Sequence, residues 1–235
     1  MEYEIIVQKE LWVWRNKVLK KSSLFNQLSK KAQKKINSII PEKAHHIITE
    51  SIKNMVKATL VGSHLTTKKP KPTELTLYER DEMAKEKLIS YRKTAVIEGA
   101  GTGAGGIFLG LADFPLLLSI KMKFLFELAA VYGYDANEYE ERLFILHVFQ
   151  LAFSSDEKRK ETFYIIENWE QEKGGLVDMD WRVFQQEYRD YIDLVKMLQL
   201  IPGFGAIVGA YANHNLMDTL GETAMNAYRL RHLEI

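Results

Sequence analysis

Residues 3–18, YEIIVQKELWVWRNKV, decide the fold class. Tyr3, Val7, Leu11, Trp14 and Val18 recur at spacings of four and three, which places them on one stripe of a helix, and Lys17, Lys20 and Lys21 close its last turns. Phe25, Leu28, Ala32, Ile36 and Ile39 repeat the pattern before Pro41, on a second predicted helix whose other faces carry Lys30, Lys31, Lys34 and Lys35. A third helix is expected over 42–61. Strand-like alternation of apolar and polar residues is not found at convincing length anywhere in the sequence. The expectation is an all-α protein, one multi-helix domain of about eight to ten helices over residues 1–235.

Within that domain the sequence divides into a basic N-terminal helical arm (1–61), a linker (62–72, GSHLTTKKPKP) and a main helical core (73–235). Thr76 with Glu79, Asp135 with Glu138 and Ser154 with Glu157 each stand three apart, the spacing of a capping box, and mark three expected helix starts. Segments 157–172 and 180–199 read as amphipathic, and 94–133 and 198–228 as the most buried.

The chain has 235 residues, 46% of them apolar and 27% charged, enough for a core of its own. It has no cysteine, which excludes disulfides, thiolate nucleophiles and cysteine-ligated metals and fits a reducing cytoplasm. Its N-terminus carries acids early and lacks the order of a secretory signal, so a cytoplasmic location is expected. The net charge of +1 conceals segregation: residues 11–49 hold nine Lys or Arg against Glu42 alone, whereas 135–193 hold fifteen acids against seven bases. Either the two regions complement each other internally or the basic arm meets an anionic surface. A membrane fits that arm better than nucleic acid, because basic and aromatic residues do not alternate as a stacking platform requires.

Two apolar segments are rich in glycine, one over 97–135 with six glycines between 99 and 110, the other over 201–217. Gly101 and Gly105, Gly106 and Gly110, and Gly205 and Gly209 form small-xxx-small pairs, the spacing that lets helix backbones approach closely, and a buried glycine-rich helical hairpin is expected. Gly101, Gly103 and Gly106 also fit G-x-G-x-x-G, but the preceding EKLISYRKTAVIE reads as a charged helix, not the strand a dinucleotide site needs. The apolar window 99–112 is shorter than the roughly 20 residues a membrane span requires, and Glu98, Asp113 and Pro115 bound or interrupt it.

EGAGTGAGGIFLGLADFP (98–115), ELAAVYGYD (127–135) and IPGFGAIVGAYANHNLMDTLGETAMNAYRLR (201–231) together resemble the EcsC-like family of bacterial proteins, and the similarity covers most of the chain. The family takes its name from a protein encoded beside an ABC transporter linked to secretion and competence. The resemblance implies a bacterial accessory protein, cytoplasmic or peripheral at the inner face of the membrane, with an anionic membrane surface or a membrane transporter as partner. It implies no catalytic residues.

Candidate chemistry remains in three places. His214, Asp218 and Glu222, at i, i+4 and i+8, place an imidazole and two carboxylates on one stripe; a divalent metal there would need a further ligand such as His147, Asp113, Glu98 or Glu127. Against this, Asp218 and Glu222 can pair with Arg229, Arg231 or the basic N-terminal helices, and Asp113 can cap the helix near Pro115. Trp12, Trp14, Trp169 and Trp181 are possible interface anchors; stripe geometry assigns Trp14 to the core and leaves Trp12, well round the helix, for a membrane or partner contact. No Ser sits in a G-x-S-x-G elbow, Ser63 beside His64 reads as a loop coincidence, and His45 and His46 fall on a charged face. Three functions therefore stay open: a non-enzymatic accessory protein needing no cofactor, a metal-dependent enzyme, and a carrier of an apolar ligand.

Overall fold

The computed structural model describes residues 2–20, 42–61, 74–102, 114–154, 158–177 and 209–233. Among them are eight helices and no strand: α1 (Glu2–Leu19), α2 (Glu42–Val61), α3 (Leu77–Thr102), α4 (Phe114–Tyr132), α5 (Tyr139–Phe153), α6 (Arg159–Glu167), α7 (Trp169–Val177) and α8 (Gly209–Leu233). The expected helix at 42–61 has those bounds. The expected second helix over 25–39, the linker 62–72, and Gly105, Gly106, Gly110 and Gly205 of the glycine-rich hairpin lie outside the described residues. Gly101 closes α3 and Gly209 opens α8.

Sequence explains which helices are central. FPLLLSIKMKFLFELAAVY (α4) and YEERLFILHVFQLAF (α5) are apolar on nearly every face, and a helix apolar all round must be covered all round. Phe124, Leu125, Leu128, Phe144, Ile145, Leu146 and Phe149 are accordingly inaccessible. α3, α2 and α8 pack around α4, while α8, α2, α6 and α7 pack around α5. α1 lies outermost, on α8 and α6, and inserts Val7, Leu11 and Trp14, the stripe that the spacing predicts. Trp14 meets Phe163 of α6, ring centroids 5.5 Å apart.

The predicted start at Thr76 is a reciprocal capping box. The Thr76 N–H donates to Glu79 Oε2 at 2.8 Å, and the Glu79 N–H donates to Thr76 Oγ1 at 3.3 Å. The other two predicted caps work differently. Asp135 Oδ1 accepts from the Asn137 N–H at 2.9 Å, an Asx turn that spends the carboxylate before α5 begins, and Glu138 stands at the N-cap without a side-chain bond. Ser154 Oγ donates back to Gln150 O at 2.6 Å and Ser154 caps the end of α5, while Glu157, its expected partner, lies outside the described residues.

Among the described residues a close helix approach occurs at Gly221 of α8, which belongs to none of the predicted small-xxx-small pairs. A Cβ there would lie 2.6 Å from both Leu88 methyl carbons of α3. Gly133 has a separate requirement: its φ of 94° ends α4, with Gly133 N–H donating to Ala130 O at 3.2 Å and Tyr134 N–H to Ala129 O at 2.9 Å. Arg80 Nη1 then donates to the freed Val131 carbonyl at 2.6 Å. A Gly133 Cβ would stand 3.1 Å from that same Arg80 nitrogen. Gly133→Ala is expected to cost about 1–2 kcal/mol from the left-handed backbone, plus the displacement of Arg80, read as a lower urea midpoint.

Candidate functional site

The polar interior determines what chemistry the described residues leave available. Asp81 of α3 is fully buried and accepts three hydrogen bonds beside an ion-pair contact. Tyr3 of α1 donates its hydroxyl at 2.7 Å, Tyr132 of α4 donates a second, Arg229 of α8 donates from Nε at 2.9 Å, and Arg229 Nη2 stands 2.8 Å from Oδ2 as an ion pair. Arg229 Nη1 also reaches Glu10 of α1 and Asn226, each at 3.0 Å. Burial, then the bond to Asp81, pushes the Tyr3 hydroxyl up to about 12; burial and the Asp81 charge push Tyr132 well above its ordinary value. Burial works against the Arg229 cation, but its bond and charge contact with Asp81 hold its pKa above the usual arginine value. With Tyr132 on Oδ1 and Tyr3 and Arg229 on Oδ2, the Asp81 carboxylate ties α3 to α1, α4 and α8.

A second tie joins α5 to α8. Glu141 accepts from the Tyr228 hydroxyl at 2.6 Å and from Arg231 Nη1 at 2.6 Å, and burial raises its pKa despite the arginine. The Arg231 guanidinium carbon lies 3.9 Å from the Tyr134 ring centroid and 4.2 Å from that of Phe144. A third joins α3 to α4, where Glu127 accepts from the Tyr91 hydroxyl at 2.8 Å and pairs with Lys87 at 2.8 Å. Lys121 of α4 is also buried, and burial lowers its ammonium to about 8.

The residues singled out by sequence are dispersed. Asp218 pairs with Arg92 of α3 at 3.2 Å, and Glu222 pairs with Lys17 of α1 at 2.7 Å. His147 is buried in α5 with Nδ1 2.8 Å from Leu143 O, and burial lowers its pKa to about 4, so it stays neutral. Among the described residues no three His, Asp or Glu side chains gather as a metal site would require. The side chain of His214 and all of Asp113 lie outside the described residues, as do Lys30, Lys31, Lys34, Lys35 and Trp181. Trp169, a possible interface anchor by sequence, is instead 2% exposed and packs edge-on to Phe144 at 5.0 Å.

Trp12 is 68% exposed and belongs to a larger feature that spacing alone did not reveal. Ile5, Ile6 and Val13 are exposed by 54%, 48% and 60%. At about 100° per residue, these four side chains fall on the half of α1 that faces away from Val7, Leu11 and Trp14, with Lys9, Asn16 and Lys20 between them. The helix is thus apolar on two faces: one enters the core and the other is left uncovered, with cations interspersed. Among the described residues, no helix is long and apolar enough to cross a membrane.

Comparison with known proteins agrees with the resemblance in the sequence. The model of the EcsC protein family matches residues 6–233. The chain is 55% identical to Protein EcsC of Bacillus subtilis (strain 168), over 97% of this chain and 96% of that protein. It is 26% identical to the uncharacterized protein YdbA of the same organism, over 96% of this chain and 88% of that protein. No solved structure matches it.

Two measurements check the polar interior. Asp81→Asn leaves Arg229 without its buried counter-charge and is expected to cost about 3–5 kcal/mol, whereas Tyr3→Phe removes one bond at about 1 kcal/mol, both read by urea unfolding. His147 supplies a pH dependence. The unfolded imidazole binds a proton near 6.5 and the folded one only near 4, so stability is full above the upper value and falls as pH drops through this window. The loss reaches about 3 kcal/mol below the lower value, and His147→Gln flattens that part of the pH profile.

Proposed function

The chain belongs to the EcsC protein family, and from that premise we propose that it is a non-enzymatic accessory protein that docks on an anionic membrane surface through the outer face of α1. The observation that carries this reading is the exposed quartet Ile5, Ile6, Trp12 and Val13, set among Lys9 and Lys20. A helix that offers apolar side chains and an indole between cations suits the boundary between lipid headgroups and acyl chains. Apolar side chains enter the acyl boundary, while lysine stems lie along it and leave their ammonium groups at the phosphates. The sequence immediately after α1 adds Lys21, Lys30, Lys31, Lys34 and Lys35 with no acid before Glu42, which strengthens attraction to anionic lipid.

The arrangement of buried carboxylates supports the non-enzymatic part of the reading. Asp81, Glu127 and Glu141 each hold a tyrosine hydroxyl and a cation from another helix, so their lone pairs serve packing. A membrane transporter is the other partner that family membership brings to mind, and lipid-only vesicles separate the two. Flotation of the full chain with vesicles of graded anionic content is expected to rise with anionic lipid and fall at high salt. Trp12→Ala should weaken it by roughly five- to tenfold, and reversing Lys30, Lys31, Lys34 and Lys35 together should abolish it, at about 1 kcal/mol per basic residue lost. Flotation that ignores both changes, or none at all, sinks the lipid reading and leaves a protein partner.

A further inference from the structure

A cleft of about 530 Å3 opens where the α4–α5 connection, the α6–α7 junction and the end of α8 meet, with Tyr134, Trp169, Leu230 and Arg231 among its walls. Its volume falls in the range of small-molecule sites. Two features separate it from an ordinary surface groove: an arginine fork that is only partly used, and a buried indole in the same wall.

The first is Arg231. Its side chain is 13% exposed, and contact with the Tyr134 and Phe144 rings holds the guanidinium in place. Among the described residues its one hydrogen-bond acceptor is Glu141 Oε2, reached from Nη1. A guanidinium carries five N–H groups in a planar fork that matches a carboxylate, so most of that fork is left to a ligand. The second is Trp169, 2% exposed, whose buried indole Nε1 has no acceptor among the described residues. A buried donor left unpaired costs about 1–3 kcal/mol, and because Trp169 lines the cleft its indole resonance reports on what enters there.

The acids on the wall narrow the ligand class. Glu167 and Glu170 line the same cleft, held by Arg15 at 2.7 Å and Lys173 at 2.7 Å. A multiply charged phosphate would meet both carboxylates, which opposes its binding. A molecule with one carboxylate and one ammonium meets complementary charge at each end. Ile166 and Leu230 supply apolar wall for a side chain.

We propose that this cleft binds a zwitterionic ligand of the amino-acid or short-peptide class, its carboxylate on the Arg231 fork and its ammonium toward Glu167 and Glu170. The site uses none of the exposed apolar residues of α1 and stands independently of membrane docking.

The test is a titration of the full chain, labelled with 15N at the tryptophan indoles, followed through the Trp169 Nε1–H resonance assigned with Trp169→Phe. The probes are the dipeptide leucyl-leucine, its C-terminal amide, which lacks the carboxylate, and its N-acetyl form, which lacks the ammonium. The dipeptide is expected to shift the resonance saturably, with each blocked form weaker by roughly tenfold or more. Arg231→Met should abolish the shift. Because that change leaves Glu141 buried without its cation, the double substitution of the half-buried Glu167→Gln and the exposed Glu170→Gln provides a second reading: it should weaken the dipeptide about tenfold and leave the N-acetyl form unchanged. No saturable shift up to roughly 10 mM, or equal binding of the dipeptide and either blocked form, overturns the proposal.

Discussion

The pairing of Asp81 with Arg229 is the constraint on which the arrangement of this molecule depends. A carboxylate and a guanidinium share a dry interior, and neither can be taken from water without the other. Their residual lone pairs and N–H groups are taken up by Tyr3, Tyr132, Glu10 and Asn226, so the cluster joins α1, α3, α4 and α8 at one point. Such a pair adds little net stability over a well-packed apolar substitute, but it penalises every arrangement that separates its members. Packing of apolar faces alone would allow α1 to slide or rotate on α8; a tyrosine hydroxyl and a glutamate fixed to a buried pair do not.

That restriction connects the interior to the surface. α1 reaches the body of the protein through Tyr3 and Glu10 at the Asp81 cluster, Arg15 at Glu167 of α6, and Lys17 at Glu222 of α8. Exposed pairs of the last two kinds are individually weak, about 0–1 kcal/mol, yet they flank the helix and agree on one rotation. With Val7, Leu11 and Trp14 fixed inward, Ile5, Ile6, Trp12 and Val13 have no route to the core and must face outward. Their exposure therefore follows from the anchoring of the other face, and fraying of the helix does not account for it.

Much of this was legible in the sequence, and the misses have physical causes. Periodicity gave helices because the i, i+4, i+7 stripe of Tyr3 to Val18 is a local property. The Thr76–Glu79 box was legible because its bonds span three residues. Asp135 and Ser154 have the same spacing but other demands nearby: an Asx turn engages one, and the Gln150 carbonyl engages the other. The charge segregation of the two regions corresponds in part to real pairs, since Arg15 meets Glu167. Asp81 was the costliest omission. Leu77, Asp81, Ala84 and Leu88 follow helical spacing, so a carboxylate stands within a stripe of residues that face α4 and α8, and that interruption was the available signal. Its partner Arg229 lies 148 residues on, a distance no local pattern spans.

The same reasoning separates the two regions left chemically open. Where a buried charge is required by the fold, its partners come from several helices, as at Asp81. Where capacity remains, the fold has not used it. Arg231 illustrates the difference within one residue: Nη1 serves Glu141 and the core, while the side chain also lines a cleft whose wall includes Trp169, an indole without an acceptor among the described residues. A protein stabilised only by its own contacts would gain by filling that cleft or replacing the indole with an apolar ring. A donor left there without an acceptor costs stability that the packing around it does not return.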